Sequence, residues 1–333
     1  MLTRPNDLNA HACTQWATTA SPKGRDPVHG TPMSELFTVF LNVILPVFGI
    51  IALGYLLGNR LALQARTLTR VAYYVFVPAF IFQALSQSGI PLSAAAKLIG
   101  VAATTHLLAA LVAGGLARLL GRSREMIAAF VMIAAFGNVG NYGLAVIRFR
   151  LGEAALAPAT IYFVAITIVA FAVCVSAAGW ARGGGSGALK GLLRTPALWA
   201  TIPGLAVANS HLAVPLVLSR MIGLLADAMI PVMLFALGLQ LLEQKRVRLS
   251  PDVFAASAIR LVLAPALAAL IALSFGLGQI DFAAGVLQAG MPTAVLVAII
   301  ARENGIVPDF VTSVVLVSTL ASLATLTLTM VLL

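Results

Sequence analysis

From Phe37 to Leu333 the sequence is a succession of apolar runs, each close to the roughly 20 residues that a helix needs to cross a bilayer. Ten can be counted, at about 37–57, 71–88, 97–119, 126–147, 158–181, 196–209, 216–242, 253–275, 282–301 and 308–333. Of the 333 residues, 60% are hydrophobic and 10% charged, against about 25% charged in a soluble domain. The expected fold class is therefore an all-α integral membrane protein of ten transmembrane helices. A soluble enzyme, a nucleic-acid binder and a fibrous protein are excluded as the whole molecule. The net charge of +10 comes from Lys and Arg in short clusters between the apolar runs, a pattern that sets membrane topology. Cys13 and Cys174 have neither metal-ligand spacing nor a disulfide framework.

One run is interrupted. Gly137-Asn138-Val139-Gly140-Asn141-Tyr142-Gly143 places three glycines and two carboxamides between Met126–Phe136 and Leu144–Ile147. Glycines at this spacing also let a neighbouring helix approach closely. The asparagines argue for more than packing, because their amides are costly to bury without partners. In lipid, a break of this kind is tolerated where it is buried in protein or lines a cavity.

The two halves of the chain repeat. Pro78 precedes Gly137 by 59 residues, as Pro231 precedes Gly290, an offset of 153 that also aligns Phe82 with Phe235, Gln87 with Gln240 and Gly152 with Gly305. Five spans per half is an odd number, so the second repeat enters the membrane from the opposite side. Inverted repeats of this kind characterise secondary transporters whose sites lie where broken helices meet. The repeat predicts a second break, in the ninth helix, at Gly290-Met291-Pro292-Thr293. Residues 33–181 then form the first five-helix repeat, 182–195 a glycine-rich cytoplasmic linker and 196–333 the second repeat. Residues 1–32 read as a disordered tail, or as untranslated sequence upstream of a start at Met33. Thirteen Lys and Arg follow the odd-numbered spans and four lie on the opposite side, which puts both termini outside the cytoplasm.

Met33–Leu57, Tyr74–Leu85, Asn138–Gly143, Asp227–Leu241 and Gly290–Gly305 together resemble the auxin efflux carrier family, which includes bacterial malonate and other organic-acid permeases. The resemblance covers essentially the whole chain after residue 32. It implies a scaffold domain and a transport domain, a crossover of the fourth and ninth helices at the substrate site, an organic anion as substrate, and dimers formed through the scaffold. Carried over by position, the crossover residues are Asn138, Gly140, Asn141, Gly143, Met291, Pro292 and Thr293. Many relatives have a proline just after the first break where this chain has Leu144 and Ala145, so a gentler break is expected there.

The start of a helix carries unpaired N–H groups and a partial positive charge, which favours an anion. Restarts near Asn141 and Thr293 would face one cavity from two sides. With no Arg or Lys in either break, neutral donors from Asn138, Asn141 and Thr293 would orient a carboxylate, and Gln288 would line the site. Asp227 is either a coupling residue or the cap of a helix beginning at Ala228. His106 is either a proton relay or a packing residue. Arg260, about one and a half turns from the cytoplasmic end of its span, is expected to snorkel to the surface, the alternative being a counter-charge for the substrate. Neither an HExxH nor a serine elbow is present, so no enzyme activity is expected. The function expected is secondary transport of a mono- or dicarboxylate such as malonate or malate across a bacterial inner membrane. A sodium-coupled bile-acid-type symporter, or a channel or sensor on the same fold, is the alternative. No cofactor or metal is expected, and a proton or sodium ion is the coupling ion to consider. The partners expected are the anion, the lipid bilayer and a second copy in a homodimer.

Overall fold

The computed structural model describes residues 32–183, 196–210, 213–243 and 247–333, so most of the tail and of the glycine-rich linker lies outside the described residues. In chain order the helices are α1 (Met33–Gly58), α2 (Ala65–Ser86), α3 (Leu92–Leu119), α4 (Arg124–Ala135), α5 (Leu144–Leu151), α6 (Glu153–Arg182), α7 (Pro196–Ser210), α8 (Leu216–Leu242), α9 (Pro251–Phe275), α10 (Gln279–Ala289), α11 (Val295–Glu303) and α12 (Pro308–Leu332). Seven of them, α1, α2, α3, α6, α8, α9 and α12, are long and apolar enough to cross a membrane. The other three apolar runs give the interrupted pairs α4/α5 and α10/α11 and the 15-residue α7. Leu36–Leu333 forms one compact unit.

Proline shapes three of the long helices. Each of α1, α2 and α9 contains a π-helical turn, Phe40–Ile44, Ala72–Phe76 and Ile259–Leu263, ending two residues before Pro46, Pro78 and Pro265. A proline donates no hydrogen bond and its ring crowds the carbonyl four residues earlier, so the helix widens just ahead of it. Arg260 lies on the widened turn of α9. In contrast, α7 and α8 continue through Pro203 and Pro231.

Two groups of helices pack around the core. In one, α8 lies on α1 and α2, and α7 lies on α2. The α1/α8 crossing is close because glycines meet there: a Cβ on Gly54 would collide with the Phe235 carbonyl, and one on Gly238 with the Ile51 carbonyl. In the other group, α3, α4 and α6 pack together and α9, α10 and α12 pack onto them. Serine caps hold two helix starts, Ser123 accepting from the Met126 N–H and Ser250 from the Val253 N–H. A salt bridge of 3.0 Å between Arg122 and Asp252 joins these two starts.

Candidate functional site

The helix broken by Gly137–Gly143 stops at Ala135. Phe136 is extended (φ −118°, ψ 96°), Asn138 sits at φ −78°, ψ 53°, and a π turn over Val139–Gly143 leads into α5. The restart therefore begins at Val139 rather than at Asn141. Its partner stops at Ala289 and resumes at Val295. Only residues 136–138 separate the first pair of half-helices, against 290–294 in the second, in keeping with the missing proline at Leu144–Ala145.

The two breaks are bonded to each other. The Asn138 N–H donates to the Pro292 carbonyl at 2.7 Å, the Ala294 N–H donates to the Phe136 carbonyl at 2.9 Å, and an antiparallel bridge pairs Gly137 with Thr293. Backbone groups released by breaking two helices thus satisfy one another where water is scarce. Pro292 can only accept, and it does. The Thr293 N–H donates to Ser318 Oγ of α12 at 3.1 Å, and Ser322, one turn further along α12, lies 3.3 Å from the Tyr142 hydroxyl.

Asn138 is 4% exposed, and Gln288, Met291 and Thr293 are fully buried. Gly140 and Gly143 are also buried, whereas Asn141 is half-buried. Several polar atoms here have no partner among the described residues: Asn138 Nδ2, Thr293 Oγ1 and Gln288 Oε1. The Gln288 amide NH₂ donates to the Ala159 carbonyl of α6 at 3.2 Å. A side chain at Gly143 would collide with Gln288 Oε1, and one at Gly140 would press on the Phe163 ring at 2.8 Å. Those glycines keep room for the amide and the ring. The arrangement offers amide and hydroxyl donors beside two helix starts, a chemistry suited to a carboxylate.

Arg260 departs from both expectations made for this region. It does not snorkel, since nine residues separate it from Pro251, about 14 Å along the helix axis. It is fully buried. Nor is the crossover without a cation: Arg260 donates from Nε to the Met291 carbonyl at 2.8 Å, from Nη1 to Ala134 at 2.9 Å and from Nη2 to Ala289 at 2.8 Å. Its guanidinium thus lies against the carboxyl ends of both half-helices. Gly137 is the residue that admits it, because a Cβ there would collide with Nη2 and stand 2.8 Å from Cζ. Among the described residues no carboxylate pairs with Arg260.

His106 is buried next to the Tyr162 ring, with centroids 5.8 Å apart, and its two ring nitrogens and the Tyr162 hydroxyl make no hydrogen bond to described residues. Both lie within electrostatic reach of Arg260. Asp227 is placed elsewhere. The helix holding it begins at Leu216, so Asp227 does not cap a helix at Ala228. It lines a cavity of about 420 Å³ with Gln83, Gln87 and the Arg148–Glu153 ion pair, whose members are 2.6 Å apart.

Tyr162, Ser318 and Ser322 are not singled out by the sequence, and Arg260 enters there only as the alternative of a substrate counter-charge. Arg260 alone left a signal there, a charge well inside an apolar run. Hydroxyls in such runs usually bond their own helix, as Thr319 bonds Val315, and so do not stand out.

Two curated relatives cover nearly the whole chain. One, from Rhizobium meliloti (strain 1021), carries the name "Putative malonate transporter" and is 30% identical over 303 residues, 86% of this chain and 93% of that protein. Another, from Methanothermobacter thermautotrophicus, carries the name "Uncharacterized transporter" and is 29% identical over 302 residues, 90% of this chain and 96% of that protein. Residues 186–330 match the family described as membrane transport protein. The chain is a multi-pass membrane protein with a transport role, and it belongs to the auxin efflux carrier-type membrane transport protein family.

Proposed function

We propose that this protein is a secondary transporter that carries an organic acid anion, a mono- or dicarboxylate such as malonate or malate, across the bacterial cytoplasmic membrane by alternating access at the crossover. The observation that carries the reading is the mutual bonding of the two breaks through Asn138 and Pro292, with the unpartnered amide and hydroxyl of Asn138 and Thr293 beside it. Two helix starts converge on these residues, each with about half a positive charge. In the conformation described these residues are buried, so the reading requires that the crossover be exposed in turn to each side.

Ten spans arranged as two inverted five-helix repeats fit the helices when α4/α5 count as the fourth span, α7 as the sixth and α10/α11 as the ninth. The packing supports this reading by its symmetry. The first span lies on the seventh as the second lies on the sixth, and the third packs on the fourth as the eighth packs on the ninth. Gly152 and Gly305, aligned by the repeat, both take positive φ just beyond the second half-helix of a broken pair. The α1, α2, α7, α8 group is read as the scaffold, through which a homodimer would form, and the remaining helices as the moving part. Charge asymmetry supports termini outside the cytoplasm. Asp227 and His106 stay candidates for coupling, Asp227 from the cavity it shares with Arg148 and Glu153 rather than from the crossover.

The test is uptake of radiolabelled C3 and C4 acids by liposomes containing the purified protein, with and without an inward proton or sodium gradient, for wild type and Asp227→Asn. Saturable uptake and counterflow are expected. A non-saturating conductance would replace alternating access by a channel, and an absolute need for sodium would favour the sodium-coupled symporter.

A further inference from the structure

We propose that Arg260 sets the charge balance of the crossover so that the species bound there carries one negative charge: a monocarboxylate, or a dicarboxylate that keeps one proton. This rests on the reading that the crossover binds a carboxylate. A guanidinium buried in a membrane protein without an anionic partner is costly. What offsets Arg260 is the backbone. Ala134 lies in the last turn of α4 and Ala289 ends α10, so the guanidinium faces two helix carboxyl ends. Each end is equivalent to about half a negative charge. Together they balance the arginine, and its third bond, to Met291, ties it to the second break.

The helix starts after the breaks are then left over. The π turn into α5 and the start of α11 each contribute about half a positive charge, and no acidic side chain lies in either break. One negative charge neutralises the pair. A dianion would leave a surplus charge in a poorly solvated site, which is unfavourable at low dielectric. A dicarboxylate would therefore bind singly protonated, its proton entering and leaving with it. The titratable groups within electrostatic reach of Arg260 are His106 from α3 and Tyr162 from α6. The acids of the other helices packed around it, Glu125, Asp252, Asp281 and Asp309, lie in first turns, away from the breaks.

Titration calorimetry on the purified full-length protein tests this with two probes, malonate and propionate, over a pH series above the second ionisation of malonate. The apparent Kd of malonate is expected to rise about tenfold per pH unit, following its singly protonated fraction, while that of propionate stays within about twofold. A malonate Kd that is flat or falls with pH would overturn the proposal and leave carboxylate binding standing. Weakening of both acids in parallel would also overturn it, by placing the proton on a protein group such as His106. Saturable binding of neither acid would remove the proposal together with its basis. The second arm is the charge itself. Arg260→Gln is expected to weaken propionate by about tenfold or more and Arg260→Lys by less than about threefold. Wild-type affinity in a folded Arg260→Gln protein would refute the role given to the arginine, and should that variant not fold, the wild-type pH series still decides.

Discussion

Replacing Gly137 by alanine puts a methyl group where Arg260 now lies, against Nη2 and within 2.8 Å of Cζ and 3.2 Å of Nε. The structure can respond in two ways. Arg260 can withdraw, losing three hydrogen bonds that are worth about 0.6–2 kcal/mol each in a membrane protein, or about 2–6 kcal/mol together. Alternatively the first break can shift while the guanidinium holds, at the cost of overpacking, about 1–3 kcal/mol. The cheaper response wins, so Gly137→Ala is expected to destabilise by about 1–3 kcal/mol. The cause can be isolated by a double-mutant cycle with Arg260→Met, whose unpinned tip can swing aside. In that background Gly137→Ala should cost little, giving a coupling of about 1–3 kcal/mol. Reversible unfolding in mixed micelles measures all four proteins. An equal cost of Gly137→Ala in both backgrounds, within about 0.5 kcal/mol, would refute the claim that this glycine exists to admit the arginine.

Other consequences are as direct. Ser318→Ala removes the acceptor of the Thr293 N–H and is expected to lower stability by about 1–2 kcal/mol in the same unfolding assay. Gly152 has φ +82° and ψ −175° with open space around it, so Gly152→Ala should cost about 1–3 kcal/mol of backbone strain alone, and Asn at this position should recover little. Gly54→Val pushes a branched side chain into the Phe235 carbonyl. It is expected to separate α1 from α8 and to lower the melting temperature of the detergent-purified protein, whereas Gly49→Val, facing open space, should leave it nearly unchanged.

Much of this architecture is legible in the sequence because lipid imposes length and continuity on each helix. The run at 216–242 coincides with α8 as found, and those at 253–275 and 308–333 differ from α9 and α12 by one or two residues at an end. Both interruptions lie where Gly, Asn and Pro gather, since those residues either free backbone groups or fail to supply them. What the sequence does not carry is the relation between segments distant along the chain. Nothing local says that Asn138 bonds Pro292, or that Arg260, 126 residues further on, reaches Ala134. The depth of Arg260 was misread because snorkelling is the usual fate of an arginine near a helix end, and the carbonyls that hold it inside belong to other helices. The capping alternative for Asp227 fails for a simpler reason: α8 starts at Leu216, so the acid falls in mid-helix.

The central claim is that the crossed breaks bind the carried anion, and the most direct measurement is the KM for malonate uptake into liposomes by wild type, Asn138→Ala and Thr293→Ala at matched protein density. Both substitutions remove unpartnered buried polar groups, so folding should be little affected. The account predicts that KM rises by about tenfold or more in Asn138→Ala and by a smaller factor in Thr293→Ala, with melting temperatures close to wild type. Wild-type KM in both folded variants would contradict it and move the binding site away from the crossover.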